Sequence, residues 1–306
     1  MYLESLGRVW NRLGEVDPMW AVLMDPQRTG NRWDPNEFYQ TGFADVCHIM
    51  HQIRWMHFPL RRGRALDFGC GLGRLTQSLA RYFDVADAVD IAPAMIYKAQ
   101  GYNPYGDRCR FHCNEREDLK LFGDKRFDFI LSLLVLQHMQ PTFAKNYIAE
   151  FMRVLAPGGL LVFQQPSHFN QIPTAEEEPQ VGLFRRQMHR VWRKVMGDPE
   201  ALASVDGPED FDYPQIAVEK YERLAPVVDK VASFRRTDAG TAGNPMAKHG
   251  PVTLTSAETT PATEIHVIPK PKMMLFLRRL GGRVIHVDHR SDSTQNYTSF
   301  RYFVTK

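Results

Sequence analysis

The sequence predicts an α/β protein built on a doubly wound parallel sheet, and three observations carry that expectation. Apolar strand-like runs alternate with amphipathic helical ones between residues 64 and 164, the pattern that lays parallel strands side by side with helices on both faces. The first strand runs straight into Gly69-Cys70-Gly71-Leu72-Gly73 and then a helix. Glycines in such a turn permit positive φ and bring a ligand close to the main chain, beside the positive end of the helix. The stretch from Phe129 to Val135 is apolar at nearly every position, as expected of a central strand covered on both sides.

The elements follow in order as strand 64–69, helix 73–83, strand 85–90, helix 93–100, strands 109–113 and 127–134, helix 142–155 and strand 159–164. Leu72, Leu75, Leu79 and Phe83 share one helical stripe, and Tyr147, Ile148, Phe151, Met152 and Leu155 share another. Ahead of the sheet, residues 1–62 hold four of the five tryptophans and read as helices at 2–13, 18–24 and 36–55. They suggest a helical cap over the carboxyl ends of the strands, where open α/β sheets bind ligands. Residues 169–263 read as an insertion, a substrate lid, opening on a Pro-rich acidic stretch. Within it Phe184, Met188, Val191, Trp192 and Val195 form one helical stripe, with Arg185, Arg186, Arg190, Arg193 and Lys194 around it. After it, 273–280 reads as a helix closed by Gly281-Gly282, followed by strands at 283–288 and 297–304.

Composition narrows the class. Lys and Arg number 38 against 35 Asp and Glu, a formal charge of +3, too balanced to argue for a polyanion partner. No apolar run approaches the ~20 residues of a membrane span. The first residues lack a basic, apolar, small-residue signal pattern, so a cytoplasmic protein is expected. Cys47, Cys70, Cys109 and Cys113 are then free thiols. His48 and His51, and His286 and His289, have H-x2-H spacing but no convergent carboxylate beside them, and no metal is expected.

What the glycine turn binds is a question of spacing. A dinucleotide fold favours G-x-G-x-x-G around a pyrophosphate, whereas here the spacing is G-x-G-x-G. Asp67, just before the turn, suits a ligand bearing an ammonium better than one bearing two phosphates. Asp90, ending the second strand, can accept both hydroxyls of a ribose.

Five segments then occur in sequence: Asp67-Phe-Gly-Cys-Gly-Leu-Gly73, Val89-Asp-Ile-Ala-Pro-Ala-Met95, Phe127-Asp-Phe-Ile-Leu-Ser132, Val135-Leu-Gln-His-Met139 and Arg153-Val-Leu-Ala-Pro-Gly-Gly-Leu-Leu-Val-Phe163. With them the chain resembles a class I S-adenosylmethionine-dependent methyltransferase of bacterial small-molecule type, over 63–168 and 264–306. The resemblance implies a seven-stranded, mostly parallel Rossmann-like sheet with an antiparallel last strand, and S-adenosylmethionine as cofactor. It places Gly69, Gly71 and Gly73 along the methionine and ribose, Asp67 at the ammonium, Asp90 at the ribose hydroxyls, and Ile91 and Met95 on the adenine, with Cys70 and Leu133 also in the cofactor site. Asn114 or Glu115 would accept from the adenine amino group, and Tyr39 or Thr41 would reach the cofactor's carboxylate. The chain departs from the family pattern at Ala92, where Ser commonly caps the next helix, an expected loss of about 1 kcal/mol.

The implied chemistry is in-line displacement at a sulfonium methyl, to which alignment and exclusion of water contribute much. An oxygen nucleophile must also lose a proton, a task suited to histidine. His168, His266 and His138 follow strands or re-enter the pattern at the mouth of the site, and rank as bases in that order. The expected reaction is O-methylation of a small-molecule or sugar-containing acceptor. Three rivals stand beside it. An RNA-modifying methyltransferase would rest on the basic helix at 184–195, but lacks an RNA-binding module. A nicotinamide-dependent oxidoreductase conflicts with the glycine spacing. A non-catalytic adenosylmethionine-binding protein would lack a base near the methyl.

Overall fold

The computed structural model describes residues 2–170, 265–290 and 297–306, which apart from Asn170 belong to one unit. A seven-stranded sheet in the order β3-β2-β1-β4-β5-β7-β6 organises them. Its strands are β1 (Arg64–Phe68), β2 (Val85–Asp90), β3 (Cys109–Cys113), β4 (Phe127–Ser132), β5 (Leu155–Phe169), β6 (Arg283–Arg290) and β7 (Tyr297–Thr305). The first five pair in parallel, and β7 runs antiparallel between β5 and β6. Strand order reverses between β1 and β4, which opens a crevice at their carboxyl ends.

Helices cover both faces. On one, α6 (Pro141–Val154) buries Tyr147, Ile148, Phe151 and Met152, and α7 (Lys270–Arg279) buries Met273 and Leu277, against Leu66, Ile130, Phe163 and Tyr302. On the other, α4 (Arg74–Leu79) and α3 (Pro35–Trp55) pack on Phe129, Leu131, Val162 and Phe303. Thus α3, expected over the carboxyl ends, is instead part of the helical layer. Its apolar residues Val46, Ile49, Met50 and Ile53 fall on one helical face, and that face needs a sheet to cover it. At the start of α3, the Asp34 carboxylate accepts from the N–H groups of Asn36 and Glu37.

Two further elements differ from expectation. The helix expected over 73–83 ends at Leu79, where the chain tightens into i→i+3 bonds, Arg81 N–H to the Ser78 carbonyl and Tyr82 N–H to that of Leu79. Strand β5, expected to stop near 164, continues to Phe169. Pro166 lies beyond the end of β4, so its missing N–H breaks no ladder on that side, while β7 goes on pairing past a register shift. The expected lid, including the basic helix at 184–195, lies outside the described residues. Among the described residues, no helix is long and apolar enough to cross a membrane.

Helices α1 (Tyr2–Val16) and α2 (Pro18–Leu23) do sit at the carboxyl ends. Tyr2 donates to the His138 carbonyl beyond β4, and a Cβ on Gly7 would lie 3.2 Å from Ile91 just beyond β2. The two ends of this packing cap each other's helices. Ala92 offers no side-chain cap to α5 (Pro93–Gly101), but Asn11 of α1 accepts from the Ala94 N–H at 2.8 Å. In return the Lys98 ammonium donates to the carbonyls of Gly14 and Glu15 at 2.6 and 3.1 Å, near the C-terminus of α1, where a cation is favoured. The cap that appeared missing in sequence is supplied by another helix.

Asn11→Ala should therefore destabilise the fold by about 1 kcal/mol and speed amide exchange at Ala94. Unchanged exchange at Ala94 would remove Asn11 from this role.

Candidate active site

The glycine turn is held by the end of β2. The Val89 carbonyl accepts from the N–H groups of Gly69 and Cys70 at 2.8 and 3.0 Å. One Asp90 oxygen accepts from Gly71 N–H at 2.8 Å and the other from Ala92 N–H at 2.9 Å. Gly69, Gly71 and Gly73 all have positive φ, at 74°, 52° and 77°, a region costly for residues with a Cβ. Space is equally restrictive, since a Cβ on Gly71 would lie 2.7 Å from Val22 of α2, and one on Gly69 would collide with Val135.

Asp67 is buried at the end of β1. One oxygen accepts from the Thr76 hydroxyl at 2.6 Å, while Oδ1 has no hydrogen-bond partner among the described residues. Burial pushes the Asp67 carboxyl up to about 6, against the opposing pull of the Thr76 hydroxyl and the Arg74 guanidinium. Burial also raises Asp90, partly offset by the N–H groups it accepts from. Burial keeps the Cys70 thiol protonated, its pKa well above the ordinary value.

Tyr39 and Thr41 serve the turn through protein contacts. Tyr39 donates to the Leu72 carbonyl at 2.9 Å. Thr41 donates to the Phe38 carbonyl and accepts from Arg74, whose guanidinium also pairs with Asp45 at 2.7 Å. This buried Arg74 arrangement joins α3 to the turn and was not read from the sequence, because its partners lie about thirty residues upstream.

At the end of β3, Asn114 is buried, with its main-chain N–H on the Asp90 carbonyl and its amide donating to the Asp118 carbonyl at 2.8 Å; Glu115 is exposed. Ile91 is half-buried at the base of α1, and Met95 lies in the apolar cluster of Leu13, Met19, Phe38 and Leu72. Leu133 is buried in the sheet core.

Beyond β4 the main chain is strained. Leu134 has φ 62°, a cost borne only where the surroundings enforce it, and no residue preference announces it. The bend sets Val135 on Gly69 and leads into the 3-10 turn Leu136–His138. Here the structure collects polar side chains. The Gln137 carbonyl accepts from His266 N–H at 2.7 Å, and the Gln165 amide donates to the His266 carbonyl at 2.9 Å. Tyr297 donates to Gln137 at 3.4 Å, Gln137 meets His138 Nε2 at 3.3 Å, and Trp10 stands edge-on to the His138 ring at 5.2 Å. His138 and His266 are thus brought together through Gln137. His168 is exposed on the extension of β5, opposite Thr298 of β7.

A sheet of this order, with a glycine turn held by the acid that ends β2, is the fold of class I S-adenosylmethionine-dependent methyltransferases. In agreement, residues 66–163 match the family model described as Methyltransferase domain. It is 34% identical over 138 residues to a ubiquinone biosynthesis O-methyltransferase of Azorhizobium caulinodans, covering 44% of this chain and 49% of that protein. It is 26% identical over 140 residues to an ajmaline N-methyltransferase of Rauvolfia serpentina, covering 44% and 45%. The chain spans about half the length of these curated relatives. Among solved structures, it shares its fold with a magnesium protoporphyrin IX methyltransferase from Synechocystis PCC 6803 with bound SAH, at a TM-score of 0.53 and 14% identity over the whole of both chains.

S-adenosylmethionine is the cofactor of this class, and the residues fit it. The buried, unsatisfied Asp67 oxygen suits the ammonium. Both Asp90 oxygens retain acceptor capacity for ribose hydroxyls beyond the N–H groups they already accept.

The raised Asp67 pKa makes a prediction about pH. Between 3.8 and about 6 the folded state holds more protons than the unfolded one, so stability falls as pH rises through that range, by about 3 kcal/mol in total. Urea denaturation should show Asp67→Asn lacking this slope and at least as stable as the parent at pH 7. A variant markedly less stable at pH 7 would count against a buried, unfavourable carboxylate.

Proposed function

We propose that the protein transfers the methyl group of S-adenosylmethionine to a hydroxyl oxygen of a small molecule, with a histidine beyond β4 assisting the acceptor's proton. The observation that carries this reading is the polar cluster of Gln137, His138, His266 and Tyr297 at the carboxyl ends of β4 and β5, adjoining the glycine turn through Val135. A relative named as an O-methyltransferase supports oxygen as the acceptor atom, whereas another is named as an N-methyltransferase.

When bound, the cofactor supplies an activated methyl on a good leaving group. The chain supplies placement. Asp67 orients the ammonium, the main chain of the turn approaches the ligand closely, and α1 and α2 limit access of water from the side of Gly71 and Ile91. His138 is buried beside the cluster and His266 is half-buried, which makes them the histidines to assist the proton. Their position reverses the order expected from sequence, because His168 lies exposed several residues beyond the end of β4.

Incubation with methyl-labelled S-adenosylmethionine and a panel of phenolic, sugar and amine acceptors should give labelled product from hydroxyl-bearing compounds. His138→Ala should keep cofactor affinity in calorimetry and lose about 10²-fold or more in turnover. His168→Ala should stay active. Label carried only to amines would overturn the oxygen assignment, and a fully active His138→Ala protein would remove His138 as the assisting group.

A further inference from the structure

Gln137 has both ends of its amide engaged. Its Oε1 accepts from the Tyr297 hydroxyl at 3.4 Å, and its Nε2 faces Nε2 of His138 at 3.3 Å. All three residues are buried, so bulk water does not replace these contacts. An amide nitrogen is only a donor. The His138 nitrogen facing it must therefore present its lone pair, and the proton of the neutral ring is left on Nδ1.

We infer that Gln137, clamped by Tyr297, is a positioning residue that fixes the ring proton of His138 on Nδ1. Gln137 is itself fixed, because its carbonyl accepts from His266 N–H and it lies in the short 3-10 turn that follows the strained Leu134. Trp10 against the ring edge and the Tyr2 hydroxyl on the His138 carbonyl restrict movement of the histidine from the α1 side.

This has a consequence for the reaction, which rests on the role proposed for His138 above. With the proton on Nδ1 and Nε2 accepting from the amide, the ring offers a donor that can orient an acceptor oxygen. To take up an acceptor's proton, Nε2 must first part from the Gln137 amide, so Gln137 also sets when the ring can act as a base.

The test reads the tautomer directly. In long-range proton–nitrogen NMR spectra of the full chain labelled in its histidines, the His138 signal is assigned by its loss in His138→Asn. Without cofactor, the wild-type ring should show a protonated Nδ1 and an unprotonated Nε2. Gln137→Leu removes the donor, and Gln137→Glu replaces it with an acceptor; both should move the proton to Nε2. A wild-type ring protonated at Nε2 would overturn the inference, as would an unchanged tautomer in both variants. The wild-type spectrum carries the test even if a variant folds poorly. Because the spectra need neither cofactor nor turnover, they stand apart from the methyl-transfer reading, which the His138→Ala assay decides.

Discussion

The carboxyl end of β2 is the point on which the site depends. Five N–H groups converge there: those of Gly69 and Cys70 on the Val89 carbonyl, of Gly71 and Ala92 on the Asp90 carboxylate, and of Asn114 on the Asp90 carbonyl. A turn with three residues at positive φ cannot satisfy its own main chain through helix or sheet bonds. The neighbouring strand does so instead. Asp90 is therefore both a candidate ribose ligand and the clamp that shapes the turn, and its replacement by Ala removes both contributions. Weakened cofactor binding in such a variant would not distinguish them, whereas Asp67 lies outside this set of bonds and reports more directly on ligand contact.

The α1 helix couples the two halves of the site. Asn11 and Lys98 tie α1 to α5 beyond the end of β2, while Tyr2 and Trp10 of the same helix meet His138 beyond the end of β4. A rigid helix of 15 residues thus sets the spacing between them. Loss of the α1–α5 caps should reach the histidine through this helix, with no residue near His138 altered.

Much of the fold is legible in the sequence because its periodicity is strong. The apolar β4 run, the stripe of α6 and the glycine turn each carry a signal within a few residues, and the strand order follows from the resemblance they share. The less legible features are contacts between segments far apart in the chain. Ala92 looks uncapped until Asn11 reaches it from α1, and nothing near Arg74 in the chain announces that Asp45 and Thr41 bond it. Leu134 carries no hint of its left-handed conformation, which leads the chain to Val135 on Gly69, a partner far away in the sequence. The exposure of His168 is hidden in the sequence for a related reason: β5 outruns β4 and carries His168 past it.

Two costs are concentrated around the crevice. Burial of Asp67 leaves a carboxylate with one unsatisfied oxygen at neutral pH, and Leu134 holds a backbone angle that disfavours a leucine. Neither improves packing of the protein alone. A cationic ligand beside Asp67 would relieve the first, converting a destabilising charge into a paired one, so the cofactor should stabilise the fold by more than its contacts with the turn would suggest. The effect of the second is geometric: it turns the chain back so that Val135 closes on the glycine turn and the polar cluster follows within three residues. The glycine turn and the polar cluster are therefore joined by a short, strained segment, which leaves little freedom in where one stands relative to the other.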